Sequence, residues 1–160
     1  MDENFSFHDF LERFPDDEAC LEEIKKLQYP KGVFCKPCRK ITKHYKINNR
    51  TSYSCKVCRT HVYPLAGTIL EKSSTPLRLW FYTFFLVTQT RGEISAKLLQ
   101  RELGVTYKTA WRMYRSTYDL MEMNNRDLLS ETETKDQKKS GLNRWSFFYK
   151  VEYDEVQKDE

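Results

Sequence analysis

Cys35-Lys36-Pro37-Cys38 and Cys55-Lys56-Val57-Cys58 form two matched Cys-x-x-Cys pairs with sixteen residues between them. Two such knuckles about 15–20 residues apart are the ligand pattern of a structural zinc site. Zn2+ favours four donors at tetrahedral corners, and thiolate sulfur suits it. Each knuckle presents two sulfurs from one tight loop, so two knuckles close the shell. A closed shell leaves no position for water or substrate. The spacing therefore predicts one structural zinc ion held by Cys35, Cys38, Cys55 and Cys58, with no chemistry at the metal.

Other uses of these thiols fit less well. Two disulfides call for an oxidising compartment. The chain opens Met1-Asp2-Glu3-Asn4, without the basic start, apolar core and cleavage site of a signal peptide. A redox site would be one pair beside a βαβ pattern, not a duplicated pair. His44 and His61 lie close enough to compete as ligands, but four thiols complete the set, and both read as ordinary surface or strand histidines. Cys20 stands apart. It falls with Ile24 and Leu27 at i, i+4, i+7, the stripe of a buried helix face, where a thiol is inert packing.

A chain of 160 residues with 31% charged and 39% hydrophobic side chains suits one average domain or two small ones. The longest apolar-rich run, Leu77 to Val87, falls short of the roughly 20 residues that span a bilayer. The expectation is a cytoplasmic, nucleoid-associated protein with neither a membrane nor a small-molecule partner. The net charge of +4 conceals a division. Residues 1–30 carry three basic and nine acidic side chains, residues 31–118 seventeen and three, and residues 119–160 seven and eleven. A basic block between acidic flanks points to a polyanion, most simply nucleic acid; a solvated basic surface is the plainer reading.

The fold expected is α+β. Residues 1–30 read as a helical cap packed on a zinc ribbon at 31–66. In the cap, Pro15 suits a first helical position, with Asp16, Asp17 and Glu18 in the first turn and Lys25 and Lys26 in the last. In the ribbon, Ile41 to Ile47 alternates as a strand, Asn48-Asn49 makes a turn, Thr51 to Ser54 returns, and Thr60 to Tyr63 adds a third short antiparallel strand. Three short strands bury little, so zinc must supply much of the folding free energy.

Residues 67–123 read as a three-helix helix-turn-helix unit. Thr75-Pro76 should cap a first, central helix that ends at Gly92. Ser95 caps the second, with Ile94 and Leu99 as a hydrophobic staple, and Gly104 gives its left-handed end. Thr106 then caps a last helix from about Tyr107 to Met121, with Val105 stapled onto Ala110. Ala110, Met113, Tyr114, Thr117 and Met121 share its inward face, while Lys108, Arg112 and Arg115 recur at i, i+4, i+7 on another. In such a motif the N-terminal part of the second helix enters the major groove. The expected DNA contacts are Thr106, Tyr107, Lys108, Thr109, Arg112 and Arg115, with Trp111 and Tyr118 as packing residues. A plain helical hairpin is the alternative. Residues 124–160 read as a polar linker followed by one amphipathic strand around Trp145 to Tyr153.

The chain resembles the N-terminal half of ISXO-type (DDE) insertion-sequence transposases, which carry a zinc ribbon and then a helix-turn-helix. The stretches that carry the resemblance are Phe14 to Cys20, the two knuckles, Gly67-Thr68-Ile69, Thr75 to Trp80, and Gly104 to Met113. It implies that the zinc ribbon and the helix-turn-helix recognise transposon-end DNA, with the four cysteines matching the metal ligands. Such sequences often place Gly after the second cysteine of the first knuckle; here Arg39 stands there, at a turn that favours positive φ. Val151-Glu152-Tyr153-Asp154-Glu155 looks like the first strand of the nuclease domain. Two-metal phosphoryl transfer needs several convergent carboxylates, so the catalytic domain is expected to be absent and Asp154 to be a solvated carboxylate.

The resulting expectation is a zinc-dependent, sequence-specific binder of double-stranded transposon-end DNA, derived from or truncated from a transposase. It is not an enzyme in its own right. Two alternatives stand beside it: one part of a split DDE transposase completed by a nuclease subunit, and a zinc-ribbon transcription factor that docks on RNA polymerase. Self-association through residues 145–156 is a further possibility on this reading.

Overall fold

The computed structural model describes residues 5–130. The expected strand around Trp145 and the carboxylate of Asp154 lie outside them. The order is α1 (Phe7–Arg13), α2 (Asp17–Gln28), β1 (Phe34–Cys35), β2 (Lys40–Ile41), β3 (His44–Lys46), β4 (Tyr53–Cys55), β5 (His61–Val62), α3 (Leu77–Gln89), α4 (Ala96–Leu103) and α5 (Tyr107–Ser130). This is an α+β architecture.

The N-terminal helices begin where polar caps satisfy the first free N–H groups. Ser6 and Asp9 form a reciprocal capping box on α1. Asp16 caps α2 by accepting from the Ala19 N–H at 2.8 Å. Pro15 therefore precedes the cap rather than opening the helix. Lys25 and Lys26 do occupy the last turn.

The strands differ more from expectation. The stretch from Ile41 to Ile47 is not one strand but two, in separate antiparallel sheets: β1 with β2, and β3-β4-β5. At the break, the Thr42 N–H donates to the Val33 carbonyl at 3.1 Å, and the Thr42 hydroxyl lies 3.2 Å from Cys55 Sγ. The chain is bent around the thiol cluster, and that constraint outweighs the apolar alternation. Alternation also misleads about the inner face. His44 is buried, whereas Ile41 and Tyr45 are 58% and 55% exposed. The Asn48-Asn49 turn forms, closed by Arg50 N–H to the Ile47 carbonyl at 3.2 Å.

Helix α3 is the centre of the core: Leu77, Trp80, Phe81, Thr83, Phe84, Phe85 and Val87 are all buried. Pro76, in extended geometry with φ −51° and ψ 139°, is its N-cap and supplies no side-chain bond, so Thr75 is displaced from the capping role. The helix ends in a Schellman arrangement. Gly92 N–H reaches the Val87 carbonyl at 2.8 Å, Arg91 N–H reaches Thr88, and Arg91 itself is left-handed at φ 51°.

The N-terminal helices pack mainly on α3 rather than on the ribbon. Phe14 and Phe81 rings lie 4.8 Å apart and Phe10 and Phe85 rings 5.3 Å apart. Arg78 Nε donates to the Phe14 carbonyl at 3.1 Å. The ribbon joins this body through Tyr53, whose hydroxyl donates to Glu22 at 2.9 Å while Lys25 Nζ lies 4.2 Å from its ring centroid. Lys46 pairs with Glu18 beside it.

Helices α4 and α5 meet across the turn anticipated from sequence. Ser95 Oγ accepts from Leu98 N–H at 3.2 Å, Gly104 is left-handed at φ 64°, and Thr106 Oγ1 accepts from Thr109 N–H at 3.3 Å. Leu99, Leu103, Ala110, Met113 and Thr117 are buried between them and α3. The last helix runs on to Ser130, beyond the expected end at Met121.

Candidate metal centre and nucleic-acid interface

The two knuckles bring Cys35, Cys38, Cys55 and Cys58 together with all four sulfurs within 4.8 Å of one another. A tetrahedron with Zn–S bonds of about 2.3 Å has sulfurs about 3.8 Å apart. Cys35 and Cys58 lie at 3.3 Å and Cys38 and Cys55 at 4.0 Å, on either side of that spacing. The donor set and its geometry fit one zinc ion.

The surroundings support thiolates unequally. The Thr42 hydroxyl, then the backbone N–H groups of Cys58 and Val57, pull Cys55 down to about 5. The Thr60 hydroxyl and backbone lower Cys58. Hydrogen bonding with Cys58, then burial, holds Cys38 up at about 12. Without a cation, thiolates crowded this closely repel, so some sulfurs keep their protons. A dication draws coordinating thiols into the thiolate form. Thr42 and Thr60 are outer partners of the cluster that the cysteine spacing does not reveal; Thr60 stands two residues after Cys58.

Two arginines close the knuckles. Arg39 at φ 50° and Arg59 at φ 60° each follow the second cysteine and adopt the left-handed conformation. A side chain there costs about 1–2 kcal/mol relative to the right-handed region, a cost that glycine avoids. The strain expected at Arg39 is present, and Arg59 repeats it. The matching position after Cys58 was the available signal for the second.

Cys20 is fully buried in the helical core, apart from the cluster, and burial pushes its thiol up to about 12. His44 lies on β3 with Nδ1 3.0 Å from the Thr42 carbonyl, and His61 is exposed on β5. Neither belongs to the group of four.

The six residues named as DNA contacts lie at the start of α5 and along its outer side. Thr106, Tyr107, Lys108, Arg112 and Arg115 are exposed; Thr109 is half-buried, with its hydroxyl 3.0 Å from that of Thr106. Arg112 donates to Thr75 Oγ1 at 3.0 Å, so Thr75 braces this side chain instead of capping α3. Arg115 pairs with Asp119 at 3.1 Å. Trp111, expected to pack, is 43% exposed beside them, while Tyr118 is half-buried with its ring 5.9 Å from that of Tyr114. A groove of about 610 Å³ runs along α4 and the turn after it, with Lys97 and Arg101 in its wall.

Among proteins of known family, residues 15–61 match the model of the transposase zinc-ribbon domain. That match spans α2, the two knuckles and the first residue of β5, so this stretch is similar to a transposase-type zinc ribbon. No curated protein and no solved structure matches the chain. Among the described residues, no helix is long and apolar enough to cross a membrane.

Proposed function

We propose that this chain binds double-stranded DNA as the end-recognition part of a transposase system. In this reading α4, the Gly104 turn and α5 act as a helix-turn-helix, and the zinc ribbon is a second structural unit that depends on the metal. The observation that carries it is the exposed side of α5, where Tyr107, Lys108, Arg112 and Arg115 stand free of the core beside Trp111. Arginine and lysine in that position read guanine edges or hold phosphates. The match of residues 15–61 to a transposase zinc-ribbon domain supports a transposon end as the class of DNA. The described residues are given a binding role and no catalytic step.

The internal partners of the stripe sort its members. Thr75 holds Arg112 in place with a neutral oxygen, which leaves the full positive charge for DNA. Arg115 already shares its charge with Asp119 and should contribute less. Lys108 is the least constrained, suited to gripping phosphate as a point charge.

The test is fluorescence anisotropy of a labelled duplex across a salt series, comparing the native chain with a Lys108→Glu/Arg112→Glu/Arg115→Glu variant after both are shown to retain zinc and helical circular dichroism. Each lost phosphate contact reduces the slope of log K against log salt by about 0.9. A fall of up to about 3 in slope supports the assignment. Equal binding by both proteins refutes the assignment of α5, and binding by neither refutes DNA binding and shifts the role of the ribbon to protein docking.

A further inference from the structure

Residues 24–70 contain eleven lysines and arginines and not one aspartate or glutamate. Lys25 and Lys46 find carboxylates on α2, at Glu22 and Glu18. At the knuckle end Lys36, Arg39, Lys40, Lys56 and Arg59 are exposed, and among the described residues none of them makes an ion pair. They therefore form a patch of a single sign around the four sulfurs.

Within the patch, Arg39 and Arg59 hold the two positions where a side chain is strained, at φ 50° and 60°. Their backbone bonds, Arg39 N–H to the Lys36 carbonyl and Arg59 N–H to the Cys55 carbonyl, are equally open to glycine. Neither guanidinium makes a hydrogen bond among the described residues. The fold bears strain at both knuckles and, among the described residues, draws no hydrogen bond or ion pair from the side chains that cause it.

We infer that Arg39 and Arg59 are the phosphate contacts through which the knuckle end of the ribbon grips DNA. This rests on the proposed DNA-binding function and extends it to a part of the chain remote in sequence from α5. Phosphate contacts fix orientation and register without reading sequence. The ribbon would then fasten the protein to the backbone while α5 reads bases. A rival role for the arginines is electrostatic support of the thiolates, and the two roles separate experimentally.

The experiment uses the full zinc-loaded chain and an Arg39→Gly/Arg59→Gly variant. Relief of the left-handed strain should leave Tm unchanged or raise it by a few degrees. Zinc retention against a chelator should be unchanged. The salt slope for duplex binding should become shallower by about 1.8, with the same loss on random and specific sequence. An Arg39→Lys/Arg59→Lys variant should restore most of the slope, because phosphate accepts a point charge. A native slope in the glycine variant overturns the inference while leaving the α5 assignment intact. Weakened zinc retention with an unchanged slope overturns it in favour of thiolate support. Absence of salt-dependent binding by the native chain removes the DNA-binding function and this inference with it.

Discussion

Removal of zinc should dismantle the ribbon and leave the helical body folded. The five helices of the described residues lie outside residues 31–66, and their core is built from Phe10, Phe14, Leu21, Ile24, Trp80, Phe81, Phe84, Leu99 and Met113. In the ribbon, no strand exceeds three residues, and apart from the cysteines the buried apolar residues of residues 31–63 are Val33 and Tyr53. Two such side chains contribute only a few kcal/mol on burial, about 1.5–3 each. Structural zinc in comparable small sites contributes about 10–16 kcal/mol, so the ribbon's order depends on the metal. The assay is thiol labelling with far-UV circular dichroism, before and after chelation. The zinc-loaded chain should show no rapidly reacting thiols. After chelation four should react, Cys20 should stay protected in the helical core, and the helical signal should persist. Reaction of all five thiols together with loss of helix would refute the independence of the two parts. Continued protection of the four after verified metal loss would refute the dependence of the ribbon on zinc.

Other substitutions follow from the packing. Phe14→Ala removes a fully buried ring against Phe81 and Phe10 and should cost about 3–5 kcal/mol, read by denaturant titration. Tyr53→Phe deletes the bond to Glu22 and should cost about 1 kcal/mol, because that carboxylate can take water instead. Burial alone would raise the Glu22 pKa, but hydrogen bonds from Lys25 and Tyr53 outweigh it and leave it below 4.5. A depressed folded-state pKa stabilises the fold above the unfolded value and ceases to do so as pH falls through the folded one. The Tyr53→Phe deficit should therefore shrink below about pH 4.5; a deficit constant through that range would count against the pair. Gly104→Ala meets no atom within 4 Å yet keeps φ 64°, so it should lose about 1 kcal/mol from backbone strain alone, measured as a lower Tm.

Local chemistry was the part of this fold most legible in the sequence. The knuckle spacing locates the thiol cluster because four ligands on two tight loops can close only on each other. Ser95, Gly104 and Thr106 mark the α4–α5 turn because caps and a left-handed glycine act within a few residues. The ribbon strands depart from the apolar alternation where the cluster, a long-range constraint, bends the chain at Thr42 and turns Ile41 and Tyr45 outward. The same limit explains Thr75. Its place before a proline suggests a cap, but its hydroxyl meets Arg112 from another helix, a contact no local pattern contains. Trp111 sits at packing distance in sequence from Tyr118, and only the position of α3 and α4 shows which side of α5 remains open.

Zinc-dependent DNA binding is the central claim, and the salt slope of duplex affinity before and after metal removal tests it most directly. The zinc-loaded chain should bind a labelled duplex with a steep negative slope, about −0.9 for each phosphate neutralised by α5 and the knuckles. Chelation should make that slope shallower by the knuckles' share, about 1.8, while α5 keeps the remainder, and restored zinc should recover it. A slope near zero in the zinc-loaded chain, or one that chelation leaves untouched, would contradict the account.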